Sequence, residues 1–334
     1  MRQIKISENE AGQRFDKLLL KYLNKSSKGF VYKMLRKKNI TLNGKKASGN
    51  EQLQAGDEVK LFLCEETIAK FSQAATYQSQ YDIDVVYEDK DILVLNKAVG
   101  VLSQKAQKED VSINEMAIAY LLDTNQITQA SLRSFRPSIC NRLDRNTSGL
   151  IVIGKTLKGT QEMSKLFKER TLHKYYLCVV KGRIAKERRI QGYLSKTTEN
   201  RVAIYPDERK GSSFIETQYA PLFTGEEYTV LSVHLITGKT HQIRAHLASE
   251  GYPIIGDYKY GDAKVNAYFK ETYGLRSQCL HAYCLQIPGK EALKAVLPQI
   301  FQTIIGDVTN GNMEFQRASR LHIRRVHQPD KRTL

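Results

Sequence analysis

Residues 141–150 read Asn-Arg-Leu-Asp-Arg-Asn-Thr-Ser-Gly-Leu and set one carboxylate, Asp144, between two arginines, Arg142 and Arg145. A carboxylate beside guanidinium groups keeps its charge and a restricted geometry. Three uses fit that arrangement: a reacting group, an RNA contact, or a structural ion pair, the last being the commonest. A second dense cluster, residues 237–247, reads Thr-Gly-Lys-Thr-His-Gln-Ile-Arg-Ala-His-Leu. Its spacing predicts a helix over 241–248, capped by Thr240 and stopped by Gly251. On that helix Ile243 and Leu247 share a core face, while His241, Arg244, Ala245 and Ala248 share another. The small alanines would let the Arg244 guanidinium approach a partner closely. A helix N-terminus that grips phosphate explains the same residues.

Two other chemistries are excluded by mechanics. Gly149-Leu-Ile-Val-Ile-Gly154-Lys155-Thr156 fits the letters of a phosphate-binding loop. Such a loop wraps backbone N–H groups around phosphates, whereas Leu, Ile, Val and Ile favour a strand. No nucleotide cofactor is expected. His241 and His246 lack the spacing of a helical metal pair, and five irregularly placed cysteines form no Cys-x-x-Cys pair. Neither a metal nor a disulfide framework is expected.

The elements that must hold these clusters belong to a strongly basic chain. Its 334 residues carry 52 Lys+Arg against 35 Asp+Glu, a net charge of +17, which points to a polyanionic partner. No apolar run approaches the ~20 residues of a membrane span, and the first residues lack a secretory apolar region. The expectation is a cytoplasmic monomer, off the membrane, with nucleic acid as its leading partner.

Residues 1–63 carry 14 Lys/Arg and 6 Asp/Glu and read as a separate module. Phe15, Leu18, Leu19 and Tyr22 have helical spacing; Ser26 or Ser27 can cap a second helix with Phe30, Val31, Met34 and Leu35 on its apolar face. Lys33, Arg36, Lys37 and Lys38 load its other face and end. A strand at 40–42, an Asn43-Gly44 turn followed by Lys45-Lys46, and a strand over 57–63 follow. Residues 64–80 read as a linker. A larger domain then spans 81–304, with strands at 85–87, 92–95, 150–153, 175–180 and 228–235 and helices at 113–122 and 161–170. Strands that do not alternate strictly with helices predict an α+β class. Residues 305–334 form a basic tail, with six Lys/Arg and one Asp in the last twenty residues.

The first module resembles an S4 RNA-binding domain. The resemblance is carried by Arg14-Phe15-Asp16-Lys17-Leu18-Leu19, Leu35-Arg36-Lys37-Lys38-Asn39, residues 40–45, and Leu53-x-x-Gly56-Asp57-x-Val59. It implies a grip on structured RNA by Arg14, Lys17, Lys33, Arg36, Lys37, Lys38, Lys45 and Lys46. Residues 141–150 are similar to the RluA-type pseudouridine synthase motif, His-Arg-Leu-Asp-x-x-Thr-Ser-Gly-Leu. Residues 86–100 look like that family's first motif, His173-Lys174-Tyr175-Tyr176-Leu177 like its Lys-x-Tyr motif, and 237–261 like its Thr-Gly-Arg-Thr-His-Gln-Ile-Arg…Gly-Asp…Tyr-Gly run, followed by Leu280-His281-Ala282. Asn141, Ala98 and Lys239 depart from the usual His, Pro and Arg.

This second resemblance implies a mixed, largely antiparallel sheet with flanking helices and a central cleft. It implies conversion of uridine to pseudouridine, which needs no cofactor. Asp144 would be the catalytic carboxylate, Arg244 its ion-pair partner, and Tyr176 the ring that stacks on uracil. Arg142, Arg145 and His241 would contact RNA. Large-subunit ribosomal RNA is the implied target; tRNA, or a catalytically silent ribosome-assembly role, are the alternatives.

Overall fold

The computed structural model describes residues 1–72, 81–107, 109–197 and 201–310. In the N-terminal module, strands β1 (Arg2–Lys5), β2 (Ile40–Leu42), β3 (Lys45–Lys46) and β4 (Glu58–Leu61) form an antiparallel sheet in the order β1-β4-β2-β3. Helices α1 (Phe15–Tyr22) and α2 (Lys28–Arg36) cover it. Phe15, Leu18, Leu19, Val31 and Leu35 are buried beneath them, as their spacing predicts. Ser27, not Ser26, caps α2, its hydroxyl accepting Phe30 N–H at 3.1 Å. The Asn43-Gly44 turn takes positive φ at both residues, 50° and 73°, the geometry that lets a two-residue loop follow the strand twist.

The expected linker is partly helical. Helix α3 (Glu65–Phe71) buries Ile68, and the Phe71 ring lies 4.3 Å from that of Phe30. Seven residues give too little periodicity to read, and such a short helix is held by packing rather than propensity. Residues 73–80 lie outside the described residues. Contacts also tie the module to the larger domain: Glu10 accepts Ser134 Oγ at 2.5 Å, Asn9 Oδ1 accepts Leu157 N–H at 2.9 Å, and Lys21 Nζ sits 5.7 Å from the Phe135 ring.

The larger domain is built on β5 (Asp84–Glu88), β6 (Ile92–Lys97), β7 (Ser138–Ile139), β8 (Ser148–Gly154), β9 (His173–Lys181), β10 (Arg188–Lys196), β11 (Val202–Tyr205), β12 (Ser213–Thr224), β13 (Tyr228–Leu235), β14 (Leu280–Gln286) and β15 (Leu293–Lys294). They make one mixed sheet of 11 strands, ordered β11-β10-β12-β13-β9-β14-β8-β6-β5, with β15 on β14 and β7 on β8. Among the described residues, only β14 and β8 pair as parallel strands. The class is therefore α+β, with a largely antiparallel sheet. Every residue of β8 is buried, so the phosphate-loop letters lie in a central strand, as the apolar run demands.

The flanking helices are α4 (Ile113–Asp123), α5 (Leu157–Glu169), α6 (Gln242–Ser249), α7 (Ala263–Tyr273) and α8 (Gln299–Val308). Helix α8 crosses the expected boundary at 304: Phe301, Ile304 and Ile305 are buried in the main core. Their spacing of one helical turn is the reason. Residues 311–334, most of the basic tail, lie outside the described residues.

Candidate active site

Residues 141–147 form a loop above β8, pinned from three directions. Asn141 Oδ1 accepts Val152 N–H at 2.8 Å and its Nδ2 donates to Leu150 O at 3.3 Å. The Asn141 carboxamide thus prolongs the β7–β8 ladder by one side-chain rung, which accounts for a donor-plus-acceptor residue there. Ser103 Oγ accepts Leu143 N–H at 3.0 Å and donates to Leu143 O at 2.7 Å. Lys97 is fully buried, and its three N–H groups reach Ala98 O, Val101 O and Arg145 O at 2.9, 2.8 and 3.0 Å. Burial lowers this ammonium to about 7, and the Asp144 charge opposes the shift. At the loop's exit Gly149 has φ of 110°, and a Cβ would meet Ala282 O at 2.3 Å. The close approach of β14 therefore requires glycine.

Asp144 sits on this loop and is bound from the far side of the cleft. Arg244 Nη1 donates to Asp144 Oδ2 at 2.8 Å. The same guanidinium donates through Nε and Nη2 to Asp257 Oδ2 and Oδ1, at 2.7 and 2.9 Å. Burial alone would raise the Asp257 carboxyl, but hydrogen bonds and charge from Arg244 outweigh it and hold the group below its ordinary value. Neither Arg142 nor Arg145 pairs with Asp144. Both are exposed, and Arg145 Nε instead donates to Gly100 O at 3.0 Å.

Helix α6 presents Arg244, and its start differs from the expectation. His241, not Thr240, occupies the cap position, in the left-handed region with φ of 54° and no side-chain cap bond. Gln242 locks this turn: its Oε1 accepts Thr237 Oγ1 and Lys239 N, and its Nε2 donates to Glu216 O and Thr217 Oγ1. Ala245 faces away from the cleft, in a cluster with Leu194, Val202 and Ile215. It does not open the space beside Arg244 that its small size suggested, because β10 and β11 cover that side of the helix.

Between loop and helix lies a cleft of about 640 Å³, within the range of sites for small organic groups. Its lining includes Asp144, Tyr176, His241 and Arg244, together with Arg142, Arg145, Arg170, Lys174 and Lys239. Six cations thus line a cleft that holds one carboxylate. Tyr176 is 6% exposed; burial pushes its phenol up, and the Asp144 charge adds to that. Among the described residues, no three His, Cys, Asp or Glu side chains gather as a metal-ligand set, and no helix is long and apolar enough to cross a membrane.

Residues 91–249 match the family model for RNA pseudouridylate synthase, and residues 13–59 match that for the S4 domain. The ribosomal large subunit pseudouridine synthase C of Vibrio cholerae is 31% identical over 294 residues, covering 85% of this chain and 87% of its own. The chain belongs to the RNA pseudouridylate synthase family. The ribosomal large subunit pseudouridine synthase C of Pasteurella multocida is 29% identical, with 86% of each chain covered. A human structure, RNA pseudouridylate synthase domain containing 4, superposes with a TM-score of 0.55 at 21% identity. It covers 67% of this chain and 92% of its own, and shows the same fold.

In this RNA pseudouridine synthase the motifs meet at the cleft. The loop, β9, and α6 bring Asp144, Tyr176 and Arg244 to one cleft, with His241 at its edge. Lys17, Lys33, Arg36, Lys37, Lys38, Lys45 and Lys46 are exposed on the S4 module. Arg14 is different: it holds the buried Asp16 through two bonds, at 3.1 and 2.9 Å, and Asn50 at 2.7 Å. That set ties the start of α1 to residue 50. Sequence reasoning assigned no role to Lys97, Asp257 or Gln242. Their motif letters were visible, but buried polar side chains declare their partners only in three dimensions.

Proposed function

We propose that the chain isomerises uridine to pseudouridine in large-subunit ribosomal RNA, with Asp144 as the catalytic carboxylate. The observation that carries this reading is the Arg244 Nη1–Asp144 Oδ2 contact of 2.8 Å at the wall of a cationic cleft. The net reaction breaks the N1–C1′ bond and forms C5–C1′; C5 loses a proton and N1 gains one. A charged carboxylate can act on the ribose or the uracil as nucleophile or base. Arg244, itself anchored by Asp257, fixes which oxygen is engaged and leaves Oδ1 for the substrate. The Tyr176 ring offers a stacking face for the uracil. Burial pushes its phenol up, so it can take the C5 proton only after giving up its own.

The uridine must leave its stack to reach Asp144, at a cost of a few kcal/mol. Arg142 and Arg145, exposed at the rim, are placed to hold flanking phosphates or fill the vacated space. Lys174 is half-buried in the cleft wall; burial lowers its ammonium to about 8, and Arg170 reinforces this. An RNA phosphate would relieve that repulsion. Lys174→Met is therefore expected to weaken RNA binding about tenfold and to reduce the slope of log affinity against log salt by about one. An unchanged slope would remove Lys174 from the RNA path.

The ribosomal target rests on the relatives named above, and the S4 module supports an RNA substrate with its exposed lysines. A monomer acting in the cytoplasm completes this reading. Mapping pseudouridines in total RNA from cells with and without the protein tests the assignment. Sites lost from large-subunit RNA bear it out; sites lost only from tRNA redirect it; no lost site refutes it.

A further inference from the structure

Beside the reacting carboxylate lies a short polar chain that the mechanism above leaves unused. Tyr260 Oη accepts Val202 N–H at 2.9 Å and lies 3.0 Å from His241 Nδ1. The Val202 amide can only donate, so one phenol lone pair is taken. Among the described hydrogen bonds His241 Nδ1 is the one acceptor within reach of the phenol hydrogen, so the O–H is donated to it. An Nδ1 that accepts leaves the neutral ring's proton on Nε2. That nitrogen stands 3.9 Å from Asp144 Oδ2, the oxygen that also accepts from Arg244. We propose that Tyr260 sets the His241 tautomer so that an uncharged Nε2–H faces Asp144, making Tyr260 and His241 positioning residues for the isomerisation.

A second observation is independent of these distances. His241 has φ of 54° at a helix cap where Ser, Thr, Asn or Asp would accept an amide N–H. A non-glycine residue is strained in that region and persists where its surroundings impose it. The strained turn gives no cap bond and instead swings the imidazole toward Asp144. Tyr260 is itself fixed: its N–H donates to Asp257 Oδ1 at 3.1 Å, and Arg244 lies 5.3 Å over its ring. The chain Val202, Tyr260, His241, Asp144 thus joins β11 to the catalytic loop.

The charged groups around His241 come from every neighbouring element: Asp144 on its loop, Arg244 on α6, and Asp257 and Lys259 after α6. Burial lowers the imidazole below its ordinary value, Asp144 opposes, and Arg244 and Lys259 reinforce it. Burial raises the Tyr260 phenol, which keeps it a donor. A contact of 3.9 Å is longer than a hydrogen bond; catalytic contacts commonly tighten when substrate closes the site. An uncharged donor there steadies the Asp144 carboxylate without adding a second full cation.

The kinetic part of this inference rests on Asp144 being the catalytic carboxylate; the tautomer does not. Imidazole nitrogen-15 spectra of the full-length protein therefore separate the two. In the wild type, His241 is expected as the Nε2–H tautomer at neutral pH; an Nδ1–H or doubly protonated ring overturns the proposal. Tyr260→Phe removes the O–H donated to Nδ1, so that nitrogen becomes free to bind a proton and the imidazole protonates at higher pH. With large-subunit ribosomal RNA transcript carrying 5-tritiated uridine, kcat for tritium release is expected to fall about tenfold. KM should hold, and the acid limb of the pH profile should move up. His241→Asn provides the second variant, because Asn tolerates positive φ yet cannot reach Asp144. It should melt at or above the wild-type temperature and show the same kcat loss without the moved limb. Wild-type kcat and pH profile in Tyr260→Phe, or wild-type kcat in His241→Asn, overturns the proposal.

Discussion

Asp144→Asn is expected to bind RNA within about twofold of wild type while its single-turnover rate falls by ~10³-fold or more. The side chains are nearly isosteric, and Asn Oδ1 can still accept the Arg244 Nη1–H that Asp144 Oδ2 accepts at 2.8 Å. Arg244 also keeps its two bonds to Asp257, so the buried guanidinium is not left without a counter-charge. Loss of the partly exposed half of the network should therefore cost about 1 kcal/mol or less in stability, seen as a nearly unchanged melting curve. What the amide lacks is a nucleophilic or basic oxygen. Affinity by filter binding and tritium release from uridine C5 under excess enzyme separate the two effects. A rate within about tenfold of wild type would assign the chemistry to another group.

The parts of the fold that were legible in the sequence share one property: a single face or run carries the signal. Residues 150–153 read as a strand because a central strand is covered on both faces and needs four apolar residues in a row. Helices α1, α2, α4 and α5 show their apolar positions at helical spacing. Strands β10, β11 and β12 did not, although β12 spans 12 residues. Its register shifts between Pro221 and Phe223, and it buries Glu216 and Thr217 among apolar neighbours. Polar residues satisfied by cross-sheet partners erase the alternation on which a strand reading depends. β1 is short and half exposed, and α3 is a single short helix, so neither carries enough pattern.

At the site, residue types were legible and partnerships were not. Sequence placed Arg142 and Arg145 beside Asp144, whereas the turn points both toward solvent and leaves Asp144 to Arg244, one hundred residues away. Only the family resemblance linked those two. Residues 241–248 read as a helix with a Thr240 cap, but the observed cap is a strained histidine. No propensity rule selects it; the Gln242 network and Tyr260 impose it from outside the segment. Asn141 departed from the family letter, and its bonds to β8 show that the position serves the loop's attachment.

Asp257→Asn should produce the largest combined loss of activity and stability. Asp257 is completely buried, and its two oxygens accept from Arg244 Nε and Nη2 on one side and from the Lys259 and Tyr260 amides on the other. Four donors converge on it. An asparagine offers one carbonyl oxygen and must aim its NH₂ at other donors, leaving Arg244 neutralised only through Asp144. Breaking one member of a buried ion pair costs about 3–5 kcal/mol, and the released guanidinium no longer fixes Asp144. The melting temperature should drop by roughly 10 °C and kcat by ~10²-fold, with KM less affected. The pH dependence gives the sign. Because the folded carboxyl is held below its ordinary value, its stabilisation is full above about pH 4, the unfolded value, and is lost as pH falls through the folded one. The wild type should therefore lose stability below pH ~4 more steeply than Asp257→Asn. Parallel acid-melting curves for the two proteins, or a variant with wild-type melting temperature and kcat, would show that Asp257 does not hold Arg244 in place.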